Sequence, residues 1–192
     1  RAEAESRLIL DRWTPTWRGR ILERKGRVLA MDRPSFSVAV DYQVITGAWA
    51  YREAATQARR ENAREWPRLD AGQRDALIQA RLPQVEARVE QMWRTLCEIG
   101  QIDRAELEER KQRVIRTVQR MAAAVWARRL ERENSLVEQA EQMKEVADVA
   151  RPIFEQRSPH VLLRGVDDER AFRLREMADD LPGVSVIDAG ER

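Results

Sequence analysis

The sequence predicts a mostly α-helical fold: a long-helix bundle or hairpin with an extended N-terminal segment and a small C-terminal β-α-β unit. Apolar residues recur at spacings of three and four through the middle of the chain, which is typical of helices that bury one face. Hydrophobic residues make up 43% and charged residues 35% of the chain, against about 25% charged in an average domain. Helices that bury one apolar face and carry Arg and Glu on the other explain both the apolar and the charged percentages. We expect three parts, over residues 1–35, 36–157 and 158–192.

The N-terminal part is expected to be extended and frequently broken. Short helical patterns over residues 2–12 and 16–25 are separated at Pro15, because the residue before a proline is disfavoured in the α region. Gly26 closes the second pattern. Between residues 12 and 27, two tryptophans and six basic residues occur with a single acidic residue, Glu23. The candidate residues for contact with a protein partner, a nucleic acid or a lipid are Arg12, Trp13, Trp17, Arg18, Arg20, Arg24, Lys25 and Arg27.

Residues 36–45 leave two structures open. Phe36, Val38 and Val40 alternate with small or polar residues, and this period of two is typical of a strand. However, helical sequence follows directly, Ser35 is a suitable helix N-cap, and no hairpin partner lies nearby. We therefore expect a helix from Phe36, with a strand as the alternative.

Three helices are expected between the first third and the middle of the chain. The first, over residues 48–65, is rich in Ala, Arg and Glu. Asp70 and Gln73 form a capping box for the second, which ends before Pro83. Pro83 opens the third, and Gly100 follows its last turn as the C′ residue.

A still longer helix is expected to follow. Asp103 and Glu106 form a second capping box, and nothing breaks the helical pattern before about residue 157. An apolar seam along it includes Val118, Met121, Val125, Leu136, Met143 and Phe154. The polar run 128–135 interrupts this seam, so a helical hairpin near Asn134 is the alternative to one continuous helix. A lone helix cannot bury such a seam, and we expect it to pack on earlier helices or on another chain.

The C-terminal part changes to short strands. Residues 160–164 predict a strand, Asp167 a helix N-cap, and residues 184–187 a second strand after a Pro182-Gly183 turn. We expect the two strands to be parallel neighbours that need further strands to form a stable sheet. A helix followed by P-G-V and a short strand resembles half of a ferredoxin-like module, without the metal-binding cysteines of its heavy-metal members. The resemblance therefore implies a local fold and no function.

The sequence offers no recognisable catalytic set, and we expect a protein that is not an enzyme and holds no metal or cofactor. Cys97 and His160 are far apart along the chain, and Cys97 belongs to the apolar stripe of its helix, where a small thiol packs well. One cysteine and one histidine do not make a zinc site of the usual kind. Neither glycine-rich phosphate-binding motif occurs.

The expected function is that of an accessory or scaffold subunit with other protein subunits as partners. A mitochondrial respiratory or ATP synthase complex is the first host considered, because the chain begins at Arg1 and a removed presequence would leave such a start. The cytoplasm is the alternative location. A second hypothesis is an RNA-binding or ribosome-associated subunit, since basic groups beside aromatic rings suit RNA and also anionic lipid head groups. The net charge of +2 gives no overall polycationic field, and no apolar stretch is long enough for a transmembrane helix.

Overall fold

The computed structural model of the protein describes residues 19–30, 33–135 and 143–191. The strands are β1 (Ile21–Leu22), β2 (Val28–Ala30), β3 (Arg33–Asp41), β4 (Pro159–Val166) and β5 (Val184–Glu191). The α-helices are α1 (Tyr42–Ile45), α2 (Ala48–Glu61), α3 (Ala71–Gly100), α4 (Arg104–Asn134), α5 (Val146–Val149) and α6 (Asp168–Glu176). Short 3-10 turns occupy Trp66–Arg68, Phe154–Gln156 and Ala178–Asp180. The fold is mostly helical, with two long helices and a small sheet, as the sequence predicts.

A three-stranded antiparallel sheet of order β4-β3-β5 forms the centre of the fold. In its middle strand, Val38 is opposite Leu163 of β4 on one side and opposite Val186 of β5 on the other. The helix expected from Phe36 is therefore wrong, and the alternating pattern of this segment is that of a strand. The partners of β3 lie near the far end of the chain, which is why no hairpin partner is visible beside it in the sequence.

The two C-terminal strands are not neighbours, contrary to expectation. β3 lies between β4 and β5 and runs antiparallel to both. The strand that completes the sheet therefore comes from the same chain. Because β3 is hydrogen-bonded to both C-terminal strands, it holds the N-terminal and C-terminal parts of the chain together in one sheet.

Helices α3, α4 and α6 cover one face of this sheet. Val38 and Val40, which are two residues apart and therefore point to the same face, are fully buried in the main core. The helices fill this core with large side chains that include Met92, Leu96, Leu107 and Leu174. Removal of this apolar surface from water is the main term that stabilises the fold.

Helices α2 and α3 pack together through small side chains. Ala50, Ala54 and Ala58 recur every four residues on α2, and all three are buried. With Ile78 and Val85 of α3 they form a second, smaller core. Interaxial distances depend on the side chains at the contact, so an alanine stripe allows these two helices to approach closely.

Helix α3 is continuous, whereas the sequence predicted two helices that meet at Pro83. A proline inside a helix removes one hydrogen bond and crowds the carbonyl group four residues earlier. Pro83 and Gln79 are both exposed, so water can solvate the carbonyl group that loses its partner. The proline therefore lies on the side of the helix where it disturbs the fold least.

The two predicted capping boxes differ in the structure. Asp70 accepts a hydrogen bond from the backbone N–H of Gln73 at 2.8 Å, and the Gln73 side chain accepts one from the Asp70 N–H at 3.0 Å. The first box is thus confirmed. The second is wrong, because Asp103 is the N-cap of α4 but makes no side-chain capping hydrogen bond. Gly100 is the last residue of α3, and Gln101 takes the left-handed conformation with φ 51°.

Helix α4 ends at Asn134, and the chain then returns alongside it. The predicted continuous helix to about residue 157 is wrong, and the return agrees with the alternative of a hairpin near Asn134. The Asn134 amide donates to the Lys144 carbonyl at 3.0 Å and accepts from the Lys144 N–H at 2.7 Å. We call residues 118–134 and 143–153 together the helical arm.

The C-terminal unit follows the predicted order of strand, helix and strand. Asp167 caps α6 by accepting the backbone N–H of Arg170 at 2.9 Å. Gly183, with φ 66°, turns the chain into β5, and its carbonyl accepts the Asp41 N–H at 2.9 Å. The turn is therefore bonded directly to the end of the middle strand.

Strands β1 and β2 form a separate antiparallel hairpin, in which Ile21 is opposite Ala30. The helix expected over residues 16–25 is therefore wrong in its described part, and the helix expected over residues 2–12 lies outside the described residues. Among the residues that the structure describes, no helix combines the length and the hydropathy needed to cross a membrane.

Candidate interaction surfaces

The β1–β2 hairpin carries part of the basic cluster that the sequence singled out. An ion pair between Arg27 and Glu23 at 2.9 Å closes its turn. Its exposed aliphatic side chains are Ile21, Leu22, Val28 and Leu29, and the last is 62% exposed. Since an isolated two-stranded hairpin is only marginally stable in water, this apolar and basic surface is suited to a protein contact. Arg20, Arg24 and Lys25 are exposed on it, while Arg12, Trp13, Trp17 and Arg18 lie outside the described residues.

The helical arm is held closed at two points. Near its base, the Trp126 Nε1–H donates to the Arg151 carbonyl at 2.9 Å, and Arg129 donates to the same oxygen at 3.2 Å. At its tip, the Lys144 ammonium group pairs with Glu133. Hydrogen bonding from Lys144 holds the pKa of the Glu133 carboxyl below its usual value. The arm therefore presents a fixed surface.

Exposed arginines recur along α4. Four of them lie four or eight residues apart: Arg116, Arg120, Arg128 and Arg132. A shallow groove of about 350 Å³, which we call the arginine groove, is lined by Val125, Arg128, Arg129 and Arg132. The described ion pairs of α4 arginines lie near its start, at Arg104, Arg110 and Arg113. Like charges four residues apart destabilise a helix by about 0.2–0.5 kcal/mol per pair, so the groove favours an acidic partner.

Helix α6 is fixed to α3 at both ends. At its start, Arg170 donates to the side-chain oxygen of Gln101 at 2.9 Å. Just beyond its end, Arg88 donates to the carbonyl of Asp179 at 2.6 Å. Its inner side is buried through Ala171 and Leu174, which leaves its outer side exposed on a rigid support.

The outer side of α6 is acidic around an exposed aromatic ring. Phe172 is 60% exposed and has acidic residues one turn before and one turn after it, with Arg173 as an exposed cation beside it. We call this surface the acidic face; it comprises Asp168, Glu169, Phe172, Glu176, Asp179 and Asp180. Sequence reasoning did not single out Phe172, although a large apolar residue on the polar side of a short helix was the available indication.

The members of the predicted apolar seam are separated in the structure. Val118 is buried within the chain, and Val125 lies in the arginine groove. The exposed members are Met121, Met143 and Phe154, of which Phe154 is 80% exposed; Leu136 lies outside the described residues. The role of the seam as an interface stays a prediction.

The packing contacts of Cys97 and His160 explain why each residue lies where it does, without a catalytic role. Cys97 packs against the main core, and burial raises the pKa of its thiol, whereas a nucleophilic cysteine needs a lowered pKa. The His160 Nε2 is 2.7 Å from the carbonyl oxygen of Glu155, and its ring packs edge-on against Tyr42 at 5.7 Å between centroids. These contacts fix the start of β4.

Neither a metal-binding group nor an acid–base pair is evident in the described parts. No three His, Cys, Asp or Glu side chains within residues 19–30, 33–135 and 143–191 are arranged to hold a metal ion. An open groove of about 640 Å³ is lined by Tyr42, Gln43, Thr46, Ala48, Arg52, Pro152, Gln156 and Arg157. This lining has two arginines but no carboxylate, cysteine or histidine, so it brings no general acid and base together.

The fold is that of a mostly helical domain supported by a small three-stranded sheet. The family model of the Penicillin-binding Protein dimerisation domain matches residues 14–192, and the chain belongs to this family. No curated protein and no solved structure matches the chain. The dimerisation domain is non-catalytic and implies protein partners, although penicillin-binding proteins are enzymes overall.

Family membership corrects the expected function and location. A subunit of a mitochondrial respiratory or ATP synthase complex is wrong, because the family belongs to bacterial cell-wall synthesis and to the cell envelope. The RNA-binding or ribosome-associated alternative is wrong for the same reason. Neither RNA nor lipid is supported as a ligand of the N-terminal cluster, and the cytoplasmic alternative is not supported either.

Proposed function

We propose that this chain is the non-catalytic module through which two copies of a penicillin-binding protein associate in bacterial cell-wall synthesis. The family match over residues 14–192 carries the proposal, because dimerisation is the property that the family's description names. In this role the chain performs no chemistry. It holds the two copies at a fixed distance and orientation.

Exposed apolar side chains support a role in association. Leu29, Phe154 and Phe172 are each more than half exposed and lie on three different elements. Scattered apolar residues are ordinary on a protein surface. Aromatic and arginine side chains together, however, are enriched among the residues that dominate binding energy at interfaces, and this chain presents both.

The packing of the core supports a rigid arrangement of these surfaces. Leu107 of α4 and Leu174 of α6 belong to the same buried core. Helix α6 is also joined to the sheet, since Arg175 pairs with Asp188 of β5 at 2.9 Å. A contact made at the arm or at α6 therefore fixes the orientation of the whole domain.

Sedimentation velocity of the 192-residue chain over a concentration series tests the proposal. We expect the mass to rise from 22.4 kDa at low concentration to twice that value. A series in salt shows how much of the association is electrostatic, because salt screens exposed charges. A mass that stays at that of one chain up to millimolar concentration would contradict the proposal.

The β1–β2 hairpin is proposed as one of the contacts between copies. Its exposed aliphatic side chains and its basic residues Arg20, Arg24, Lys25 and Arg27 make it suited to this role. Replacing Leu22→Ser and Leu29→Ser together should weaken the dimer. Because both side chains are exposed, the urea midpoint of the monomer should stay unchanged, which separates a lost contact from a damaged fold.

A further inference from the structure

We infer that the acidic face of α6 in one copy binds the arginine groove of the other copy, with Phe172 as the central contact. This inference rests on the dimerisation proposed above and assigns the surfaces that make it. The arginine groove and the acidic face carry opposite charges, both are exposed, and both are held on rigid supports. A second copy is thus the occupant that the charges of the chain itself favour.

The shapes of the two surfaces agree with their charges. The arginine groove is concave and has Val125 in its lining, whereas Phe172 projects from the acidic face. A ring placed in this groove would lie beside guanidinium groups, which are attracted to aromatic faces. The chain already uses such contacts internally, with Arg175 at 4.8 Å from the Phe36 ring and Lys111 at 4.6 Å from the Trp93 ring.

The acidic residues near the end of α6 are not explained by the fold of one chain. The C-terminal end of a helix carries partial negative charge, so carboxylates there are unfavourable. Glu176 is the last residue of α6, and Asp179 and Asp180 follow it directly. The described ion pairs of this region involve Asp167 and Asp188 instead. A cationic partner surface gives these three carboxylates a role.

Twofold symmetry makes the contact self-limiting. In a symmetric dimer, the groove of each copy receives the acidic face of the other, and the same contact occurs twice. A one-way contact would leave one groove and one acidic face free and would continue into open chains. Reciprocal binding is therefore the arrangement that yields a dimer.

Charge reversal on each surface tests the inference. The groove variant carries Arg128→Glu and Arg132→Glu. The acidic-face variant carries Glu176→Arg, Asp179→Arg and Asp180→Arg, so that its new arginines outnumber the remaining carboxylates Asp168 and Glu169. Each variant has two surfaces of like charge, so we expect its dimer dissociation constant to rise about tenfold or more. The control variant carries Arg64→Glu and Arg68→Glu, two exposed arginines four residues apart on the turn after α2, and should dimerise like the unmodified chain.

Mixing the two reversed variants gives the decisive result. The reversed groove of one is then negative and the reversed acidic face of the other is positive, while the unmodified surfaces remain complementary. An equimolar mixture should therefore form heterodimers with affinity near that of the unmodified chain, although neither variant dimerises alone. Failure of the mixture to associate, with both variants folded by circular dichroism, would overturn the inference.

Phe172→Ala tests the central contact apart from charge. We expect about a tenfold loss of dimer affinity, as for a buried aromatic anchor at an interface. Tyr51→Ala removes another partly exposed ring, on α2 and outside both surfaces, and should leave the affinity unchanged.

The outcomes separate the inference from the proposed function. If the unmodified chain dimerises and neither charge reversal weakens it, the assigned surfaces are wrong and the dimerisation proposal stands. If the unmodified chain stays monomeric at all concentrations, the dimerisation proposal itself fails. If Tyr51→Ala weakens the dimer as much as Phe172→Ala, the assignment of Phe172 as the central contact is wrong.

Discussion

Gly183 is the position where one added methyl group should be most disruptive to the fold. Its backbone is in the left-handed region at φ 66°, and a Cβ atom there would lie 2.7 Å from Cγ2 of Val44 and 3.1 Å from Cβ of Asp41. The left-handed conformation disfavours an L-residue by about 1–2 kcal/mol, and overpacking adds about 1–3 kcal/mol. Val44 is buried and has little room to move. We therefore expect Gly183→Ala to lower the free energy of unfolding by about 2–5 kcal/mol.

Gly47→Ala is the matched control for this substitution. Gly47 has a similar backbone conformation, with φ 81°, but no atom lies within 4 Å of the position that its Cβ would take. It should therefore show only the conformational part of the effect, about 1–2 kcal/mol. The difference between the two variants isolates the steric contact with Val44 and Asp41.

Urea denaturation followed by circular dichroism measures both variants. The midpoint should fall further for Gly183→Ala than for Gly47→Ala, with the same dependence of free energy on urea concentration in both. Equal midpoints for the two variants would refute the reasoning. They would mean that the turn before β5 relaxes away from Val44 at no measurable cost.

Three further predictions concern the core, a helix cap and the arm. Leu96→Ala should lower the free energy of unfolding by about 2–5 kcal/mol, because Leu96 is 1% exposed in the main core; an unchanged urea midpoint would contradict this. Asp70→Ala should lower it by about 1 kcal/mol by removing the capping box of α3, and Asp103→Ala, at an N-cap without a side-chain bond, should lower it less. The Glu133 carboxyl, whose pKa the Lys144 contact lowers, should titrate by NMR below its usual range and return to it in Lys144→Ala. Because the pKa of Glu133 is lower in the folded chain than in the unfolded chain, its contact with Lys144 stabilises the arm at pH values above the unfolded-state pKa. This stabilisation is lost as the pH falls through the folded-state pKa of Glu133. Identical titration of Glu133 in both proteins would show that the contact is absent.

Some local features of the fold were predictable, although the Asp103–Glu106 pattern forms no capping box, and long-range features were not. The Asp70–Gln73 capping box depends on residues three positions apart, and the sequence alone identifies it. β3 forms a strand because it pairs with β4 and β5, which lie near the other end of the chain. Without those partners in view, its alternating pattern indicated a strand while Ser35, a suitable N-cap, indicated a helix. The tolerance of Pro83 inside α3 depends on which side of that helix faces water, and this is set by packing on α2.

The candidate surfaces divide in the same way. The arginines at positions 116, 120, 128 and 132 show their spacing in the sequence, but the groove lined by Val125, Arg128, Arg129 and Arg132 is visible only in the folded chain. The exposure of Phe172 was only indicated by its place on the polar side of α6, and it became certain once Ala171 and Leu174 were found on the buried side. Whether a side chain is exposed depends on how the whole chain packs.

Stability and association should respond in opposite directions at the end of α6. Glu176→Arg, Asp179→Arg and Asp180→Arg together replace unfavourable negative charges near a helix C-terminus with favourable positive ones, worth about 0.3–1 kcal/mol for each charge close to the helix end. The monomer should therefore unfold at the same or a slightly higher urea concentration, while the dimer becomes weaker. If these carboxylates served only the fold, their replacement would lower stability and leave the dimer unchanged. The pair of measurements therefore assigns Glu176, Asp179 and Asp180 either to the interface or to the domain itself.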